Sequence, residues 1–423
     1  MDDKDKKEAE RIEELKNMID KGTSEKTETE EAEEEPYNTP PKSEKDAKRA
    51  SKEAKPSAME DPEKRKKMII VGSTVLLALL VATAVIAAVL SRPAEDNDVT
   101  TPISVATSSE PKATATPVPV TQASNLDGVV VANELATRHP LAIMIENSTL
   151  ARPQTGLTDA SVVYEAIVEG GITRFMAVYG HTLPAKAGPV RSARPVFLDF
   201  ASEYTPRTAY YAHVGGSPEA IDRIKKENVY DLDQGGIGTK AFQRFPKAGL
   251  ATEHTMYTFP EKLLEIAKSR NYSTDATFKS WKFKNDAQIA DRPESQSITI
   301  PFSSASYEVK YIYDKTSNTY KRYMAGVEHK DAVSGKQIAP KNIIIHFANY
   351  ATTDVKGRQD VDVVGTGTAK IFRDGKVIEA TWSKSAPSAR SIYTDTATGQ
   401  EVELNAGQIF VEVPKTGSVI TVQ

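Results

Sequence analysis

Three groups of residues in this chain have types and spacings that could do chemistry. The first is Glu165, Glu169 and Arg174, which flank Gly170-Gly171 between two apolar runs. Read as two strands joined by a two-residue turn, the segment sets Glu169 opposite Ile172, Ile167 opposite Arg174 and Glu165 opposite Met176. Alternation then gives the two carboxylates and the guanidinium one face, and Tyr164, Ala166, Val168, Phe175 and Ala177 the other. Such a set could be an acid–base pair with an anion clamp. A cross-strand ion pair is the commoner use of the same residues. The second group is Arg191 and Arg194 in Gly188-Pro189-Val190-Arg191-Ser192-Ala193-Arg194-Pro195, at the expected start of a helix over 195–204. Spacing of three gives them one helical face, and guanidinium groups grip carboxylate or phosphate bidentately. They could hold an anion or pair with Glu165, Glu169 or Asp199. The third is His213, Gly215, Gly216 and Ser217, where a strand turns through two glycines into a helix with Ser217 as N-cap and Pro218 at its first position. The glycines would let a ligand approach backbone N–H groups, with His213 as base or donor; a tight turn with a satisfied histidine is the bland counterpart.

Other chemistries lack their residues. The histidines show no metal-ligand spacing and no His-Glu-x-x-His occurs, so neither a metal nor a cofactor is expected. No Gly-x-Ser-x-Gly elbow and no Gly-Lys-Ser/Thr loop exists. The chain has no cysteine, which excludes disulfides, thiolate chemistry and a lipid-bearing cysteine.

The elements that must position these groups read as strands and short helices. Pro140 to Asn147 is an apolar run ending in the polar pair Glu146-Asn147. Strands are expected at 162–169, 172–179 and 208–214, with helices from Ser217 and over 261–268. Further strands are expected near 306–313, 342–348, 367–373, 376–382 and 408–413. Arg373-Asp374-Gly375-Lys376 is an Asp-Gly hairpin turn. The expected class is therefore α+β, with an N-terminal α+β domain at 135–283, a polar link at 284–298 and a mainly β domain at 299–423.

Charge and hydropathy place this ectodomain. Lys+Arg number 54 and Asp+Glu 58, and the whole acidic excess lies in residues 1–67, so residues 68–423 are electrically balanced. A balanced region is a poor match for nucleic acid, which demands phosphate neutralisation. Residues 1–67 are too polar to bury a core and read as a disordered tail. Met68–Leu90 carries no charge and would span roughly 35 Å as a helix, enough for a bilayer core of about 30 Å. Lys64-Arg65-Lys66-Lys67 precedes it, so the tail is expected in the cytoplasm and all later residues outside. Residues 91–134, rich in Pro, Ser and Thr, read as a stalk.

The stretches PLAIMIENSTLARPQTGLTDASVVYEAIVEGGITRFMAVY, GPVRSARPVFLDFASEY, AHVGGSPEA, GTGTAKIFRDGKVIEATWSK and LNAGQIFVEV resemble the YerB-like bacterial lipoprotein family, from about residue 138 to the end. The resemblance implies an extracytoplasmic α+β protein with an N- and a C-terminal conserved domain and supplies no reaction. Many family members look lipid-anchored through an N-terminal cysteine; here Met68–Leu90 stands in that role. The expected activity is binding or scaffolding in the cell envelope, with an envelope polymer or envelope protein as partner. The competing expectation is a hydrolase of envelope polymers, using Glu165 or Glu169 with His213 and clamped by Arg191 and Arg194.

Overall fold

Leu141–Glu146 is buried at every position. A strand that is apolar at successive residues needs cover on both faces, and it has it. Leu141, Ile143 and Ile145 enter one core layer, Ala142 and Met144 the other. The computed structural model describes residues 120–423. The tail, the expected span Met68–Leu90 and most of the stalk lie outside them; the described end of the expected stalk is part of the fold, with Thr121–Ala123 paired to Val130–Ala132 and Leu126 buried in the core. Among the described residues no helix is long and apolar enough to cross a membrane.

The centre is a ten-stranded sheet. Its order is Ile392–Asp395, Lys376–Lys384, Gly365–Arg373, Asn342–His346, Ile409–Val413, Val162–Glu169, Ile172–Tyr179, Leu141–Glu146, Tyr210–His213, Asp231–Asp233. One face is covered by helices Pro195–Ala201 and Pro218–Lys226, through Val196, Phe197, Phe200, Ala220 and Ile224. The other carries helix Pro260–Ser269, through Leu263 and Ala267, and a five-stranded antiparallel sheet. That second sheet alternates strictly: in Thr319–Met324 the residues Tyr320, Arg322 and Met324 point inward. Each fully buried Ile, Leu or Phe in these layers contributes about 1.5–3 kcal/mol.

The class expected from the sequence, α+β with a mainly β second half, is the one observed. The division at 284–298 does not separate two packing units. Val162–Glu169 pairs in parallel with Ile409–Val413, which sets Val163 beside Phe410 and Glu165 beside Glu412. The expected link is itself built in: Lys282–Lys284 pairs with Glu403–Asn405, and Ser297 opens a strand of the second sheet. The physical reason is that both seam strands are apolar at successive positions. Either one left as an edge would expose unpaired backbone and two greasy faces. The Asp-Gly turn forms as expected, with Arg373 opposite Lys376 and positive φ at Asp374 and Gly375.

Candidate functional site

The hairpin at Gly170-Gly171 closes with Glu169 opposite Ile172, and both glycines have positive φ. Beyond the turn the register differs from the simple ladder. A bulge between Ile167 and Glu169 sets Ile167 opposite Thr173, Ala166 opposite Arg174 and Glu165 opposite Phe175. One inserted residue moves every side chain beyond it to the other face. Glu165 therefore shares a face with Phe175, and Arg174 lies on the opposite face with Tyr164 and Ala166. The expected trio is split.

Glu169 and Arg174 stay together and recruit Arg194. Arg174 Nη2 donates to Glu169 Oε1 at 3.0 Å, and Arg194 grips Glu169 Oε2 through Nη2 and through Nε at 3.1 Å. Burial raises the cost of the Glu169 charge, but Arg174 and Arg194 outweigh it and hold the carboxyl below its ordinary range. Burial, reinforced by Arg194, pushes the Arg174 guanidinium down to about 9. Glu146 is the cross-strand neighbour of Arg174 and nearly buried. Its Oε1 takes the Nδ1 of His254 at 2.8 Å, the hydroxyl of Ser148 at 2.9 Å and an ion-pair contact from Arg191 Nε at 3.4 Å. The ends of three adjacent strands thus carry an array of alternating charge: Glu169 with Arg194 and Arg174, then Glu146 with Arg191 and His254. Three guanidinium groups face two carboxylates.

Sequence spacing identified four of these residues and missed Glu146 and His254. The signal for Glu146 was the acid at the end of an otherwise apolar strand. His254 follows Glu253, an uninformative neighbour, and meets Glu146 only because the Met256–Thr258 region packs beside Ala187–Val190.

The segment from Arg191 to Arg194 is laid against the Gly215-Gly216 turn. Ala193 N–H donates to Gly215 O at 2.9 Å, and Ser217 N–H donates to Ala193 O at 3.2 Å. Gly215 has φ of 59°, with open space where a side chain would start. Gly216 is needed for room: a Cβ there would come within 2.9 Å of Ile221 and 3.3 Å of Ala193. Ser217 caps helix Pro218–Lys226 by accepting from Ala220 N–H at 3.2 Å. A cleft of ≈ 240 Å³ lies between this helix start and a loop of the second half, lined by Arg194, Ser217, Pro218, Thr353 and Arg358 among others. His213 is not aimed into it. His213 is fully buried, with Nδ1 on Gly215 O at 2.7 Å and Nε2 on Asp231 Oδ1 at 2.9 Å. Nδ1 thus serves the turn and Nε2 the neighbouring strand Asp231–Asp233.

Glu165 sits in the core at the seam. Arg322 donates to its Oε2, and Asn147 and Thr173 donate to its Oε1 at 3.0 and 2.6 Å. Arg322 Nε also donates to the Tyr311 hydroxyl at 3.0 Å, and Tyr311 donates to Glu412. Burial, then the neighbouring Glu165, push the Glu412 carboxyl well above its usual range. His329 accepts from Arg322 and donates through Nε2 to Gln154; burial and Arg322 hold it well below the ordinary histidine range. A second buried seam joins Glu203 to Lys384, Arg390 and Ser391 at 2.9, 2.7 and 2.6 Å. The pair expected of a hydrolase, Glu165 or Glu169 beside His213, is not assembled: each is committed to other partners. Among the described residues no cluster could hold a metal ion.

A mixed sheet shared by both halves, with charged seams buried inside it and an arginine-rich strand end, defines a two-part α+β protein whose parts fold as one. The sequence matches two family patterns, "Protein of unknown function (DUF3048) N-terminal domain" over residues 126–273 and its C-terminal counterpart over 298–411. It is 30% identical to "Putative lipoprotein YerB" of Bacillus subtilis (strain 168) over 265 residues, 61% of this chain and 77% of that protein. The crystal structure of YerB from Bacillus subtilis superposes with a TM-score of 0.62 at 26% identity, covering 71% of this chain and 99% of that one. The chain belongs to the YerB-like family.

Proposed function

We propose that this protein is a membrane-tethered component of the cell envelope that binds an anionic group, on an envelope polymer or an envelope protein, and does so without catalysis. The observation that carries the reading is the charge array. Its three guanidinium groups exceed its two carboxylates, and Arg191 is the least buried of the three. Arg174 and Arg194 hold the array together, which leaves Arg191 to face an incoming anion. The Gly215–Ser217 turn fixes the backbone of the 191–194 segment, so Gly215, Gly216 and Ser217 support the site from behind. The tether is Met68–Leu90, with residues 1–67 in the cytoplasm; the relative's description as a lipoprotein supports attachment to a membrane. Two measurements test this. Protease added to intact cells should remove the region after residue 126 and spare residues 1–67; protection of the C-terminal region refutes the topology. The unit Lys112–Gln423 should co-sediment with anionic envelope polymer and be released by salt. Co-sedimentation that is indifferent to salt refutes the anionic reading.

A further inference from the structure

We infer that Arg191 and His254, positioned together by Glu146, form a site for a phosphate group. This rests on the anion-binding reading above and gives it a ligand class and a second contact residue. Glu146 is 3% exposed, and its Oε1 is shared by Arg191 and His254, so the two cationic donors lie against one oxygen. A carboxylate accepts, so Nδ1 carries a hydrogen and the ring is held in one orientation; the imidazolium form then presents Nε2–H as a second donor. Among the described residues the Nε2 of His254 has no hydrogen-bond partner, and it is not one of the buried unsatisfied atoms. The Arg191 guanidinium makes its ion-pair contact with Glu146 and donates no hydrogen bond among the described residues; its Nε is buried and unsatisfied. A fork of free N–H groups and an oriented ring nitrogen therefore stand side by side, backed by one surplus positive charge from Arg174 and Arg194.

The geometry selects phosphate over carboxylate. A carboxylate has two oxygens, and a guanidinium fork saturates both. A phosphate offers oxygens at tetrahedral corners, so two can take the fork while another meets the imidazole. The source is either a phosphodiester of an envelope polymer or a phosphomonoester headgroup.

Isothermal titration of the full-length chain in non-ionic detergent tests the site, with inorganic phosphate, glycerol 3-phosphate, a glycerophosphodiester and acetate as probes. Phosphate should bind, acetate should bind at least about tenfold more weakly, and the better of the two esters names the source. Arg191→Met and His254→Asn should each weaken phosphate binding by about tenfold or more, the loss typical of a charge-assisted hydrogen bond, while Ser269→Ala, at the exposed end of helix Pro260–Ser269, should not. Thermal melting of each variant checks that it folds. Nitrogen NMR of the His254 ring should show hydrogen on Nδ1, and Glu146→Met, which leaves no oxygen to accept it, should abolish that preference. If Arg191→Met loses binding and His254→Asn keeps it, this inference falls and the broader anion reading stands. Equal affinity for acetate overturns the phosphate class. No binding of any probe overturns both.

Discussion

Arg322 is the residue on which the junction of the two halves depends most. It is fully buried, and it neutralises Glu165 of the first half while bonding Tyr311, which donates to Glu412. Arg322→Met keeps the volume and removes the charge. Glu165 is then left in the core without its charged partner, with Asn147 and Thr173 as neutral donors. Removing one partner of a buried pair costs about 3–5 kcal/mol, mostly the uncompensated charge that remains. For a unit of about 300 residues that is a fall of roughly 5–8 °C in Tm. The assay is urea and thermal unfolding of Lys112–Gln423, read by circular dichroism. Adding Glu165→Gln should return at least half of the loss, because the remaining partner no longer needs a charge. An Arg322→Met unit within about 1 kcal/mol of the wild type would refute the reasoning. So would a double variant worse than the single one.

Burial and the neighbouring Glu165 make folded Glu412 hold its proton to higher pH than the unfolded chain does, so stability falls as pH rises above about 4.5. Glu412→Gln should therefore gain on the wild type as pH rises above about 4.5; a constant difference contradicts this. Asp374 behaves oppositely. Burial opposes its charge, but Lys284, Asn318 and Asn405 outweigh it and hold its carboxyl well below the ordinary value. Asp374→Asn should destabilise at pH 7, and the deficit should begin to shrink as pH drops below about 3.8, disappearing only once pH falls through the much lower folded value, so melts should show a smaller deficit at pH 3 than at pH 7. Gly216→Val should lower stability by about 1–3 kcal/mol through overpacking against Ile221 and Ala193, measured by urea unfolding. Gly215→Ala should cost about 1 kcal/mol through φ alone, and Gly215→Asn less.

Much of this fold was legible in the sequence because its signals are local. The Gly-Gly and Asp-Gly turns, the Ser217 cap with Pro218, and the apolar strands need only a few neighbouring residues to specify them. The bulge at 167–169 was not legible. Nothing in Val168 distinguishes an inserted residue from a paired one, and that single insertion separated Glu165 from Arg174. The fusion of the halves was hidden for a different reason. Strand pairing between 162–169 and 409–413 is a long-range choice that no periodicity encodes. Its trace was present in the charged residues at inward positions: Arg322 in an alternating strand, Glu412 and Glu165 inside apolar ones. Those residues make sense only when the seam is closed. In the site, Arg191 and Arg194 were visible as a pair, but their different roles depend on Glu146 and His254, which come from distant segments.

The proposed binding role assigns Arg191 to the ligand and Arg194 to the array. Each is changed to Ala in Lys112–Gln423, and melting and retention on anionic envelope polymer are measured on the same preparations. The expected result is a clean division. Arg194→Ala strands the half-buried Glu169 with one partner and lowers Tm by several degrees. Arg191→Ala melts near the wild type yet loses retention. Wild-type retention in Arg191→Ala, or a loss of stability there that matches the Arg194→Ala loss, would contradict the account.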